Sequence, residues 1–371
     1  MIDGVLNSRW PQRLLHQPWK PILLIIAIGG FGAVVLYSAA AGSFDPWAAR
    51  HLIRFAIFIV WMLSLSFVPL RFWLAIAWPL YAVVLVALVG VELLGAVKGG
   101  SQRWLELGFI RLQPSELMKL AVVLAIARFY HYMPRGAAGT LPALWPPLAF
   151  IFAPVALVLL QPDLGTAVTI LAGGITLMFL GGLPWRFILV PGGLGLLSLP
   201  LLYSLMHDYQ QRRVQIFLDP EKDPLGDGYH ITQSKIAIGS GGLDGKGFLN
   251  GSQSHLDYLP EPHTDFVFAT MAEEWGLLGG VGLIIAFLLV LNWGLRVGLA
   301  TQTIFGRLLA TGLSMTVFFY VLINLLMVMG FAPVVGIPLP LVSYGGSSML
   351  TVMTAFGIII GVWRQRTDRV L

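Results

Sequence analysis

Asp265 sits in Leu259-Pro-Glu-Pro-His-Thr-Asp265-Phe, where a long polar stretch gives way to an apolar one. A carboxylate at a water–lipid boundary needs its desolvation compensated, which makes it a functional-site candidate. Two chemistries suit it. It could take a proton from a hydroxyl as a general base, or it could hold a divalent cation such as Mg or Mn. A plainer role is also open: Asp265 or Thr264 would serve as the N-cap of the helix that follows. Capping and catalysis are compatible, because a cap fixes a carboxylate in place.

A second constellation runs from Gly100-Ser-Gln-Arg103-Trp104 to Arg111-Leu-Gln-Pro114-Ser-Glu116-Leu-Met-Lys119. Pro114 suits the first turn of a helix. Glu116 and Lys119 are three residues apart and so share a helix face. They read either as a neutralising ion pair or as the lining of a polar cavity. Arg103 and Arg111 suit a phosphate or lipid headgroups, and Trp104 suits an interfacial belt or a platform for a sugar or lipid.

Further cations are Arg212, Arg213 and Lys246, the last inside Gly239-Ser-Gly-Gly-Leu-Asp-Gly-Lys-Gly247. That glycine-rich run could wrap a pyrophosphate or simply turn. It lacks the Ser or Thr and the spaced first glycine of a nucleotide-binding loop, so no nucleotide cofactor is expected. Asp163, in Gln161-Pro-Asp-Leu-Gly165, reads as a helix N-cap. Glu273 and Glu274 fall inside an apolar segment and need polar company there. Phe331 to Ser347 concentrates proline and glycine, which at membrane depth are tolerated only against protein or a wet cavity.

Membrane helices must position these groups. The chain of 371 residues is 57% hydrophobic and 11% charged, with mean hydropathy +0.80. A soluble domain needs far more surface charge, so the chain reads as a polytopic membrane protein. It has no cysteine, which excludes disulfides and thiol chemistry. The net charge of +5 fits cytoplasmic Lys and Arg and implies no nucleic-acid partner.

The expected fold is all-α with ten transmembrane helices, near 21–40, 52–69, 72–95, 114–132, 143–160, 164–182, 186–205, 265–292, 306–330 and 342–362. Residues 21–40 read as a retained first helix rather than a cleaved leader. The excess of Lys and Arg in alternate short loops places both termini, 1–20 and 363–371, in the cytoplasm. The 206–263 loop between spans 7 and 8 is then extracytoplasmic. That loop reads as turn-rich, within a single membrane domain covering 1–371.

Taken together, these segments resemble the SEDS family (shape, elongation, division and sporulation). The motifs that carry the likeness are Gln102-Arg103-Trp104, Gln113-Pro-Ser-Glu116 with Lys119, Gln161-Pro-Asp-Leu-Gly165, Gly228-Tyr-His, Gln233-Ser, the Asp265 motif and Pro338-Leu-Pro-Leu-Val-Ser-Tyr-Gly-Gly346. Gly251-Ser-Gln-Ser is similar to the elongation branch.

The resemblance implies a peptidoglycan glycosyltransferase of the bacterial cytoplasmic (inner) membrane, active on its outer face during cell elongation. It implies lipid II as substrate and a class B penicillin-binding protein, a transpeptidase, as partner. It matches Asp265 to the family's essential acid, and Trp104, Glu116 and Lys119 to positions near the cavity. The alternatives are a lipid II flippase and a structural scaffold. Polar motifs gathered on one side argue against the flippase, which needs a headgroup path through both leaflets.

Overall fold

The computed structural model describes residues 17–366, apart from 95, 99–100, 108–109, 135, 206–207, 221–222, 224–225, 257 and 260. Residues 1–16 and 367–371, most of the two expected tails, lie outside the described residues.

Helices dominate. In chain order they begin with α1 Trp19–Ala39, α2 Ala48–Leu65, α3 Leu70–Leu94, α4 Pro114–Tyr132, α5 Leu141–Leu160 and α6 Leu164–Leu180. They continue with α7 Arg186–Leu197, α8 Leu199–Leu205, α9 Asp208–Leu218, α10 Asp227–Ser240 and α11 Ser252–His255. The last three are α12 Val267–Ala300, α13 Ile304–Val328 and α14 Gly346–Arg364.

The all-α expectation has one exception. Between α3 and α4 the chain makes an antiparallel meander of β1 Ala96–Lys98, β2 Ser101–Leu107 and β3 Ile110–Leu112. Trp104 is paired with Ala96, and Glu106 with Arg111. Alternation in Gln-Arg-Trp-Leu-Glu-Leu is a strand signal, but the run is too short to outweigh its turn-rich surroundings.

Seven of the described helices are long and apolar enough to cross a membrane: α1, α2, α3, α5, α12, α13 and α14. The other three expected spans are also helical but differ. The α4 helix carries Glu116, Lys119 and Arg128, and α6 is 17 residues long. The expected seventh span is divided into α7 and α8, with Ser198 between them.

The helices α4, α13 and α14 form the centre. The α4 helix is buried along nearly its whole length, from Pro114 through Ala127, and Tyr320, Phe305 and Phe356 are among the largest wholly buried side chains. The run Leu120–Ala127 between Lys119 and Arg128 is apolar all round, and a helix of that kind is expected to be surrounded.

The 206–263 segment is more structured than its composition suggested. In α10, Ile231, Ser234 and Ala237 are buried at three-residue spacing, and Ser234 Oγ donates to Val328 O of α13 at 2.7 Å. One face of α10 is therefore docked on the helical core. Glycines and charges on its other faces masked that stripe.

The α12 helix is broken. Gly276 has φ 62° and ψ −163°, separating 267–275 from 277–300. At 1.5 Å per residue the whole element is roughly 50 Å long, against a hydrocarbon core of about 30 Å. The backbone groups near the break find partners in the glycine-rich run. Lys246 N donates to Glu273 O and Gly247 N to Glu274 O, both at 3.0 Å, while Leu277 N donates to Gly242 O at 2.9 Å. Close approach decides the glycines here: a Cβ at Gly245 would stand 2.1 Å from Glu274 O. Broken helices are tolerated where neighbouring chain satisfies the exposed backbone.

Candidate active site

Asp265 lies in the last turn before α12. The helix begins with Phe266 at its N-cap position and no side-chain cap hydrogen bond. Asp265 and Thr264 thus precede the N-cap position rather than occupy it. Tertiary contacts hold the loop. Asn324 of α13, wholly buried, donates from Nδ2 to Asp265 O at 2.9 Å and to Ile337 O at 2.7 Å. Ser343 Oγ donates to Thr264 O at 2.5 Å, and Tyr344 N donates to His263 O at 2.8 Å. The proline- and glycine-rich 331–347 segment thus forms a wall against the acid's loop. Gly336 stands next to the carboxylate, where a Cβ would lie 3.4 Å from Asp265 Oδ2.

His263, two residues before the acid, stacks on Trp47 with ring centroids 4.0 Å apart and planes 8° from parallel. Burial holds its pKa below the usual histidine range, with Glu261 opposing that shift. The ring therefore works as a neutral, flat packing element.

The second constellation is a closed polar cluster in the bundle core. Lys119 Nζ lies 2.6 Å from Glu116 Oε1 and 2.8 Å from Tyr320 OH. Tyr320 OH donates in turn to Glu116 Oε2. All three residues are buried. A buried ion pair holds when further hydrogen bonds satisfy its remaining atoms, and Tyr320 supplies one to each partner. Nearby, Asp163 caps α6 by accepting from Thr166 N at 3.1 Å, as the sequence indicated, and accepts from Gln113 Nε2 at 3.4 Å.

Tyr320 and Asn324 join the two constellations. They are four residues apart on α13 and so share a face. One holds Glu116 and Lys119, the other the Asp265 loop. Reading the sequence for chemistry passed over both. The available signal was two polar side chains one turn apart in the otherwise apolar run 317–328.

The remaining candidates divide. Trp104 is half-buried in β2. The backbones of Arg103 and Arg111 lie in β2 and β3, and that of Arg213 in α9, but their side chains lie outside the described set. Arg212 is exposed and 3.3 Å from Asp223.

Lys246 needs correction as a phosphate-binding cation. Its Nζ is 2.6 Å from Glu273 Oε1 and donates to Ser252 Oγ at 2.8 Å. Glu273 is wholly buried, so this lysine neutralises a carboxylate that burial would otherwise heavily penalise. Glu274 has separate company in Ser38 Oγ at 2.5 Å and His255 Nε2 at 3.7 Å. Among the described residues no three His, Cys, Asp or Glu side chains converge to hold a metal ion.

Comparison with known proteins places the chain in a family. The sequence profile of the FtsW/RodA/SpoVE cell cycle proteins matches residues 19–368. The peptidoglycan glycosyltransferase MrdB of Escherichia coli K12 is 46% identical over 355 residues, covering 95% of each chain. Stage V sporulation protein E of Bacillus subtilis is 33% identical, covering 92% of this chain and 96% of that one. Two solved structures share the fold. A chain of a peptidoglycan synthase complex coordinating polymerization and crosslinking has a TM-score of 0.83 at 34% identity, covering 95% of this chain and 99% of that one. The rod shape determining protein RodA of Thermus thermophilus has a TM-score of 0.71 at 31% identity, with the same coverage.

Proposed function

The chain belongs to the FtsW/RodA/SpoVE family and is a peptidoglycan glycosyltransferase, and from that premise we propose that Asp265 is the general base of glycan polymerisation. The substrate is lipid II, a disaccharide-pentapeptide on undecaprenyl diphosphate. A sugar hydroxyl of the acceptor attacks the anomeric carbon of the donor. The new glycosidic C–O bond forms as the C–O bond to the diphosphate breaks, and that electron pair leaves with undecaprenyl diphosphate. Asp265 takes the hydroxyl proton, and the anomeric configuration inverts. Such a base contributes roughly 10²–10⁴ in rate.

The observation that carries this reading is the rigid seating of the acid. Its own carbonyl and that of Thr264 are bound by side chains from two other segments, Asn324 and Ser343. A reacting group held this way loses little orientational freedom at the moment of reaction.

The developing diphosphate charge calls for cations. Arg103, Arg111, Arg212 and Arg213 are the candidates, with Trp104 and the Glu116–Lys119 cluster shaping the cavity wall. A divalent ion, Mg or Mn, would be held on the protein side by Asp265, since no larger set of protein ligands converges among the described residues. The ion would supply charge neutralisation to the leaving group.

The same reading sets the chain in the inner membrane as a single domain with ten spans. Both termini are cytoplasmic, the 206–263 segment and Asp265 are extracytoplasmic, and a class B penicillin-binding protein is the partner.

The direct test uses purified protein, labelled lipid II and no other polymerase. Wild type should produce glycan chains. Asp265→Asn should reduce them at least a hundredfold while the thermal unfolding midpoint stays within a few degrees of wild type. Wild-type glycan synthesis by the Asn variant would remove Asp265 from the chemistry.

A further inference from the structure

The break in α12 marks where that long helix leaves the membrane. From Leu277 to Ala300 it is about 36 Å long, enough by itself to cross a hydrocarbon core of about 30 Å. The arm before the break, Val267 to Trp275, is then surplus to the crossing. The α1 helix gives an independent mark. Its 21 residues just suffice to span, so its last turn lies at a membrane boundary. Ser38 in that turn donates to Glu274, two residues before the break. Both helices therefore put the bilayer surface at one level, beside Gly276.

At that level the glycine-rich run lies against α12. Leu277 N and Leu278 N donate to Gly242 O and Leu243 O at 2.9 and 3.2 Å. The run spends its backbone on the helix and leaves large apolar side chains outside: Leu243 is 66% exposed and Phe248 42%. They continue a surface that faces lipid. Along α12 the exposed Leu277, Val281, Ile285 and Leu288 recur at helical spacing. The bond from Leu278 N to Leu243 O carries that apolar surface past the break.

A strip of aromatic rings follows the same boundary. Phe31 meets Trp275 with centroids 5.3 Å apart, and Trp275 meets Phe248 at 6.3 Å. Phe248 meets Tyr37 at 6.2 Å, and Tyr37 meets Phe44 at 4.8 Å. Phe44, beyond the end of α1, is 60% exposed. Aromatic side chains collect where hydrocarbon gives way to headgroups. Asp244 and Asp45, adjacent in sequence to Leu243 and Phe44, are exposed. Carboxylates are tolerated among headgroups and costly in hydrocarbon, so this surface suits the boundary and not the bilayer interior.

We propose that Leu243, Phe248 and Phe44 form an interfacial anchor, inserted at the headgroup–acyl boundary of the leaflet on the Asp265 side. The partner of this surface is the lipid bilayer itself. The anchor fixes the break of α12 at the membrane surface and so sets the height of the arm that begins next to Asp265. Given the function proposed above, on which this last step rests, it keeps the acid at a constant distance from a diphosphate that is tethered to the same leaflet.

The test uses the full chain in liposomes of phosphatidylethanolamine and phosphatidylglycerol. The natural sequence has no cysteine, so Leu243→Cys and Phe44→Cys each carry a single nitroxide label. Leu288→Cys serves as the lipid-facing control and Glu261→Cys as the aqueous one, both side chains being exposed. Collision with oxygen, which concentrates in lipid, is compared with collision with a water-soluble nickel chelate. At Leu243 and Phe44 the oxygen-to-nickel ratio should stand well above that at Glu261 and below that at Leu288, because an interfacial group lies only about 5–10 Å deep. A ratio equal to that at Glu261 would overturn the anchor. So would shielding from both reagents, which would mean that protein covers the patch.

The height-setting role is read from activity. The Leu243→Ser/Phe44→Ser double variant opens no buried cavity, since both side chains are exposed. It should make severalfold less glycan than wild type in liposomes and the same amount in detergent micelles, where there is no bilayer plane to be held against. Equal loss in both settings, or loss in neither, would overturn that role. A wild type whose labels insert as expected yet makes no glycan would sink the polymerase reading and leave the anchor standing.

Discussion

Glu116 and Lys119 illustrate how a pair readable from spacing becomes a different object once its third member is known. Tyr320 closes the cluster from another helix, so the three side chains satisfy one another in a buried, low-dielectric setting. Tyr320→Phe removes the shared hydroxyl without opening a large cavity. It should destabilise the protein by about 1–3 kcal/mol, the usual effect of leaving buried polar groups short of a partner. Glu116→Ala leaves the Lys119 charge buried and should cost about 3–5 kcal/mol. Replacing Glu116 and Lys119 together with Leu and Met removes both charges and should recover most of that stability. The informative measurement is glycan synthesis by this folded double variant. Lost polymerisation fits a cavity-shaping cluster, whereas full activity would reduce the cluster to charge neutralisation.

Among the elements, the broken α12 helix has the most specific requirements. Gly276 adopts a left-handed φ of 62°, and a Cβ there would stand 2.4 Å from both Gly245 N and Leu243 O. Gly276→Ala therefore carries both a conformational penalty and a steric one. It should separate the 241–247 run from α12 and weaken the Lys246–Glu273 pairing that depends on it. The expected result is a lower unfolding midpoint with faster proteolysis between α10 and α11. Unaltered protease resistance and an unchanged midpoint would show that the break does not depend on glycine.

At the scale of the molecule, the open question is which way the bundle faces. The proposed orientation puts Lys222 outside and Arg366 inside. The natural chain has no cysteine, so single cysteines at these two positions report without background. In intact spheroplasts an impermeant thiol reagent should label the first and spare the second until the membrane is opened. The reverse pattern would turn the protein over and move Asp265 to the cytoplasmic face, where an extracytoplasmic polymerase could not work.

Composition and hydropathy alone determined that the chain is a helical membrane protein, because burying so many apolar residues with so few charges suits only a lipid environment. Local spacing also sufficed for the Glu116–Lys119 pair and the Asp163 cap, both closed within three residues of sequence. Ordered motifs pointed to the family. The tertiary structure decided what depends on distant partners. It recruited Tyr320 and Asn324, 204 and 59 residues away from Glu116 and Asp265, into the site. It assigned Lys246 to Glu273, 27 residues on, rather than to a phosphate. It also docked α10 on the core. Local sequence shows which side chains can carry charge or a hydrogen bond. Which of them is already satisfied depends on the groups that the fold brings within about 3 Å, and that is a property of the assembled bundle.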